Sequence, residues 1–256
     1  MTARPPRNRR LISMSVPGAN KKVHQGVADL IRQRIVAGEL VEGQRLPPED
    51  DLTAQFGIAR TTLREALRVL ESQGLLEIRR GRGGGPVVTH PDLEPISMAL
   101  ATVLQLQGTT VGDLDAARQM IEPQIAGQLA RQCDTVDLTH LTKAIDLASD
   151  VADRGDGIAF GLAAVGVHEA LVEASGNSTL ATLTRLLQSM LREYYTRRMD
   201  SIDPELMRRA VRGYRKLLRL IVQGDDAGAT AHWQATMQYT IGERDPNELV
   251  TIAAGA

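Results

Sequence analysis

A mostly α-helical protein is the fold class this sequence predicts: an N-terminal winged helix-turn-helix with a small β-hairpin wing, then a C-terminal all-α helical bundle. Three observations predict it. Within residues 58–70, Leu63, Ala66, Leu67 and Leu70 fall on one helical stripe, while Arg60, Thr61, Thr62 and Arg64 lie off it at the N-terminal end. Two short strand-like segments, 75–80 and 86–90, flank the glycine-rich turn 81–85. Beyond Pro95 the helical period recurs to near the C-terminus and no strand pattern does.

Length and charge fit two parts. A chain of 256 residues has a prior of two domains, and only 3% aromatic residues make the cores aliphatic. The formal net charge of −1 hides an asymmetry: residues 1–90 carry 15 Lys/Arg against 9 Asp/Glu, and residues 91–256 carry 15 against 22. A basic module joined to an acidic one suits a nucleic-acid binder with a separate sensor. Cys133 is the single cysteine, which excludes an internal disulfide and is expected to be an inert thiol. No apolar run approaches the ~20 residues that span a bilayer. The arginine-rich start lacks the apolar core of a signal peptide. A soluble, cytoplasmic protein with no membrane partner is expected.

In chain order, residues 1–20 hold Arg4, Arg7, Arg9 and Arg10 with Pro5, Pro6 and Pro17, and are expected to form a disordered basic tail; Met14 offers an alternative start. The DNA-binding domain is set at 21–90. A helix from Val23 carries Val27, Leu30, Ile31, Ile35 and Val36, and Gly38 ends it. Residues 43–48 form a turn whose prolines suit the first turn of a second helix, 49–56, which Gly57 breaks. The third helix ends near Gln73, with Gly74 as its stop. Its arginines present planar forks that match a guanine edge, and its threonines can bond phosphate. The hairpin 75–90 is the wing. Its glycine run lacks a following Gly-Lys-Ser/Thr and helix, so it is not a phosphate-cradling loop.

Residues 91–95 are the linker. An all-α domain, 96–244, is expected from helices near 95–107, 111–132, 136–153, 157–175, 178–200, 204–223 and 226–242, with 245–256 as a C-terminal tail. Asp113 is a cap candidate in the second of these, and Asn177 is the N-cap expected before 178.

With these residues in place, the chain resembles the GntR family of bacterial transcription regulators. The front resemblance rests on Gly38-Glu-Leu, Gly43-Gln-Arg-Leu-Pro, Arg60-Thr-Thr-Leu-Arg-Glu-Ala-Leu, Leu70-Glu-Ser-Gln-Gly-Leu-Leu and the Arg79-Arg-Gly turn. The back is similar to FadR-type ligand-binding domains through Ala117-Arg-Gln-Met-Ile-Glu122, residues 168–177 and Ile221-Val-Gln-Gly-Asp225. The extra helix near 95–107 favours the FadR group over the VanR group. The resemblance implies a homodimer on a palindromic double-stranded operator. Carried over by position, Arg60 and Arg64 read guanines, Thr61 and Thr62 hold phosphates, and Arg80 and Gly81 sit at the wing tip.

Two departures stand out. Where the family often has Glu-Arg after the Leu-Pro turn, this chain has Glu49-Asp50-Asp51. Asp50 then points away from DNA, bonds a cytosine amino group, or orients a neighbouring arginine. Many FadR-type domains also hold a divalent metal through one Asp and three His. Here those positions read Ala164, His168, Tyr214 and Thr236, and one ligand does not make a site, so no metal and no cofactor are expected. His232 lies one helical turn off register. Arg118, His168, Tyr214 and Thr236 are the expected effector contacts, Arg118 for a carboxylate or phosphate unless it simply pairs with Glu122 one turn on. The α-helical run with Arg208, Arg209, Arg212, Arg215, Lys216 and Arg219 either guides an anion or is a solvated face.

The function expected is sequence-specific DNA binding by a regulator, a repressor controlled by a small anionic metabolite. The alternative is a constitutive DNA-binding regulator whose effector pocket has decayed. An enzyme is excluded because no nucleophile–base motif occurs and the five histidines share no metal spacing.

Overall fold

The computed structural model describes residues 23–81, 84–198, 202–241 and 245–250. The basic tail 1–20 lies outside the described residues. The chain divides into two compact units, 1–92 and 93–256.

The first unit is built on α1 (Val23–Val36), α2 (Glu49–Phe56) and α3 (Arg60–Ser72), followed by β1 (Leu76–Arg79) and β2 (Gly85–Val88). The α3 stripe does what its spacing requires: Leu63, Ala66, Leu67 and Leu70 are buried against Val27, Ile31, Ile35 and Leu52. Gly57 ends α2 at φ 64, a left-handed conformation that a side chain disfavours. The strands pair antiparallel, Leu76 opposite Val88 and Arg79 opposite Gly85. Residues 43–46, read from sequence as a turn, do more than turn. Gly43 N–H donates to Val88 O, Val88 N–H to Gln44 O and Leu46 N–H to Pro86 O, which lays a third extended segment along β2. The short apolar stretch around Leu46 gave no period long enough to reveal this.

The second unit has seven helices among its described residues: α4 (Leu93–Leu106), α5 (Val111–Arg131), α6 (Thr139–Arg154), α7 (Gly157–Ala174), α8 (Ser178–Arg198), α9 (Pro204–Val222) and α10 (Asp226–Ile241). Helix α4 begins inside the stretch expected as a linker, and α6 begins three residues later than expected, after Asp137 accepts a bond from Thr139 N–H. Asp113 acts in a capping box: Thr110 Oγ1 accepts from Asp113 N–H while the Asp113 carboxylate accepts from Thr110 N–H. Asn177 Oδ1 accepts from Leu180 N–H, as an N-cap does. Residues 245–250, set apart by the sequence as tail, lie along the start of α5: Val111 N–H donates to Glu248 O, Val250 N–H donates to Thr109 O, and Val250 is buried.

Helix α7 is long and apolar enough to cross a bilayer by composition, yet most of it is interior to the bundle. It packs between α6 and α8 and supplies Phe160, Val167, Leu171 and Val172 to the core. Helix α5 lies along α10, where Gly127 lets the backbones approach. A Cβ there would meet the Thr230 hydroxyl and come within 3.1 Å of the Asp226 carbonyl oxygen.

Candidate nucleic-acid interface and buried polar cluster

Helix α3 keeps one side for its core and the other for solvent. Arg60, Thr61, Arg64 and Arg68 are exposed and Thr62 is half-buried. Its N-cap is Ala59, whose side chain caps nothing, so the first-turn N–H groups remain available to an anion. The two arginines expected to read bases are held by the acidic first turn of α2. Arg60 pairs with Asp50, and Arg64 Nε donates to Glu49 Oε2 at 3.1 Å. Asp50 is thus placed to orient a neighbouring arginine, one of the three readings the sequence left open. Both pairs are solvent-exposed, and such pairs are worth about 0–1 kcal/mol. A well-made arginine–guanine pair is worth about 1–3 kcal/mol, so an operator can capture these guanidiniums.

A groove of 480 Å³ separates α3 from the wing, lined by Glu49, Arg64, Leu67, Arg68, Glu71, Ile78 and Arg80. The fold thus brings Arg64 and Arg80 to one concavity although they are distant in sequence. Arg68 joins them and was missed as a site residue. Its place one turn beyond Arg64 on the same helix face is the signal that could have found it. Arg60 is not part of this groove. Gly81 takes φ 100 at the hairpin tip, a conformation that favours glycine.

The second unit holds a buried polar cluster where α5, α7 and α10 meet. Arg118 Nε donates to Glu122 Oε1 at 2.9 Å and Arg118 Nη1 to Asp115 Oδ1 at 3.1 Å, with all three residues buried. The other Glu122 oxygen accepts from His168 Nδ1 at 2.5 Å and from Trp233 Nε1 at 3.1 Å. Burial pushes the Glu122 carboxyl up, but His168 and Arg118 beside it outweigh burial and hold it at about 2. Burial likewise opposes the Arg118 charge, and Glu122 and Asp115 overcome it, so the guanidinium is held even more firmly protonated than usual. The Trp233 ring stands 4.9 Å from that of His168 and 5.8 Å from that of Tyr214.

Of the four expected effector contacts, the fold gathers three. Arg118 and His168 are joined through Glu122, and Tyr214 stands 6.3 Å from His168, ring to ring. The Arg118–Glu122 pair posed as the simpler reading is made. Thr236 goes elsewhere: its hydroxyl donates to His232 O, and it lines a separate groove between α9 and α10. Asp115 and Trp233 complete the cluster and escaped the sequence. The i, i+3 spacing of Asp115 to Arg118 was a usable signal; for Trp233 the only hint was its being the sole tryptophan. Gln188 on α8 is fully buried, and neither its Oε1 nor its Nε2 has a hydrogen-bond partner among the described residues.

The residues do not fit the metal that FadR-type domains often hold. Ala164 offers no donor, Tyr214 is against Trp233 and Thr236 bonds within α10, so His168 is at most a single ligand, and one ligand does not make a site. Among the described residues no three His, Cys, Asp or Glu side chains converge as a ligand set.

Comparison with known proteins agrees with this geometry. Residues 24–84 match the bacterial regulatory proteins of the gntR family, and residues 113–239 match the FCD domain. The Uxu operon transcriptional regulator of Escherichia coli is 31% identical over 180 residues, which cover 64% of this chain and 63% of that protein. The uncharacterized HTH-type transcriptional regulator Rv0494 of Mycobacterium tuberculosis is 31% identical over 87% of this chain and 90% of its own length. The galactonate operon transcriptional repressor of Escherichia coli is 28% identical over 64% of this chain and 72% of its own. A solved GntR structure from Streptococcus agalactiae shares the fold, with a TM-score of 0.68 at 22% identity over 86% of this chain and 100% of that one.

Proposed function

The chain belongs to the GntR family of bacterial regulatory proteins, with a helix-turn-helix domain and an FCD domain, and on that premise we propose that it is an operator-specific repressor released by a small-molecule effector. The observation that carries the DNA-reading half is the sorting of α3. Its apolar stripe is wholly spent on the core, which leaves Arg60, Thr61, Thr62 and Arg64 with no structural duty except the weak pairs to α2. In this reading Arg60 and Arg64 contact guanines, Thr61 and Thr62 contact phosphates, and Arg80 with Gly81 brings the wing to the backbone. Two copies bind a palindrome, because a two-fold protein matches a two-fold site. Repression is supported by the galactonate relative, which is a transcriptional repressor.

Selection of bound duplexes from a random library tests the reading. A palindromic motif is expected from the wild type, and Arg64→Ala is expected to lose about 1–3 kcal/mol at one base position of each half-site while weak binding to other sequences persists. An unchanged motif with uniformly weaker binding would place Arg64 on phosphate instead.

For the FCD domain, Arg118, His168 and Tyr214 are the polar wall of the effector site. Gln188 supports an interior ligand, since a buried amide with no partner costs about 1–3 kcal/mol that a bound polar group would recover. The second reading, a constitutive regulator, is favoured by a different fact: Arg118, His168 and Trp233 already satisfy both carboxylate oxygens of Glu122 from within. Operator release by any metabolite, with thermal stabilisation by the same compound, would dispose of the constitutive reading.

A further inference from the structure

Helix α2 opens with three acids, Glu49, Asp50 and Asp51, behind Pro48, an N-cap residue that makes no side-chain cap. An acid in a first turn is stabilised by the helix dipole, so one of them suffices to explain the helix start. Two of the three also reach α3. Arg60 Nη2 donates to Asp50 Oδ1, and Arg64 Nε donates to Glu49 Oε2 at 3.1 Å. The backbone that carries Asp50 is itself held, since Thr53 Oγ1 donates to Asp50 O at 2.9 Å. The left-handed Gly57 then turns the chain toward α3, which begins at Arg60.

Each pair spends one N–H of its guanidinium, and the fork that fits a guanine edge has others. Arg60 can therefore read a base without letting go of Asp50, with the carboxylate standing behind a guanidinium already aimed. A phosphate is met differently. It is an anion, so an approach to Arg60 brings it to the Asp50 carboxylate as well, and the two repel. A guanine edge carries no net charge and meets no such repulsion. Resting on the operator-specific reading above, we propose that Asp50 is a specificity-determining residue: through Arg60 it favours a guanine over backbone phosphate, and so lowers affinity for arbitrary DNA more than affinity for the operator. Asp50 acts as a positioning residue, because the base contact itself belongs to Arg60.

Binding isotherms of the full-length protein test it, on the duplex that the wild type selects from a random library and on a random-sequence duplex of the same length. Asp50→Ala is expected to bind the random duplex about threefold tighter or more. It should lower the operator-to-random affinity ratio by about tenfold, within the range set by one arginine–guanine pair. Its salt slope on the random duplex should steepen by about 0.9, the value of one more neutralised phosphate. Repeated selection with Asp50→Ala should relax the base position that Arg60→Ala relaxes. In an Arg60→Ala background, Asp50→Ala should leave the remaining base preferences as they are. Asp51→Ala removes the same charge from the same helical turn and should keep the affinity ratio within about twofold. A variant that merely folds less well would lose active protein and keep the ratio. An unchanged ratio in Asp50→Ala, an equal fall in Asp51→Ala, or relaxation at a different base position would each overturn the proposal. A wild type that selects no motif would end the operator reading and this proposal with it, whereas a motif with an unchanged Asp50→Ala ratio would end this proposal alone.

Discussion

Glu122 is the residue on which the bundle interior depends. It accepts from Arg118, His168 and Trp233, and its carboxyl is held at about 2. Because the folded value lies below the ordinary 4.5, its stabilisation is fully present above that pH and is lost as pH falls toward 2. At neutral pH the contribution is on the order of 3 kcal/mol. Glu122→Gln should therefore be destabilised by about that much in urea unfolding at pH 7. The gap should close as both proteins are taken toward pH 2.5; a gap of the same size at both pH values would show that the charge is not what matters. Sequence showed Arg118, Glu122 and His168 individually, and it allowed the first two to pair. It could not show that His168 and Trp233, 46 and 111 residues away from Glu122, share its second oxygen. Such convergence depends on the packing of three helices, and no local period records it.

Among the elements, the close pair α5–α10 shows what small residues are for. Gly127 faces the Thr230 hydroxyl and the Asp226 carbonyl, whereas Gly166 in α7 has nothing within 4 Å of where a Cβ would be. Alanine is favoured over glycine within a helix by about 1 kcal/mol, so Gly166→Ala should raise the melting temperature. Gly127→Ala should lower it, because overpacking costs about 1–3 kcal/mol and one of the opposing atoms is backbone. Thermal unfolding of the two variants side by side reads the difference, and a gain at both positions would mean that the α5–α10 approach is readily relaxed. Helix existence was legible throughout from period and punctuation; Gly57 after α2 and the start of α9 at Pro204 lie where the sequence put them. Ends were less legible. The α6 start moved because Asp137 bonds the backbone locally, and α4 reached back to Leu93 because its Pro95 sits in the first turn, where a missing N–H does no harm.

At the scale of the whole chain, a basic front and an acidic back lie in separate compact units. DNA affinity should then be dominated by the front and fall steeply with salt, by about 100-fold or more between 0.05 and 0.2 M. Fluorescence anisotropy with a labelled duplex measures it, and a change below about threefold would mean that phosphate neutralisation is not the main source of binding. The division into head and bundle was legible from charge and from the switch of period after Pro95. The groove between α3 and the wing was not, because it belongs to two elements and to neither alone. One further consequence follows from residues 43–46 along β2. A lone hairpin exposes two unpaired backbone edges, each a template for adding strands from other molecules. Here the β2 edge is paired with Gly43, Gln44 and Leu46, and β1, on the opposite side, places exposed Glu77 and Arg79 on either side of Ile78. Those two charges guard the β1 edge of the wing against edge-to-edge pairing.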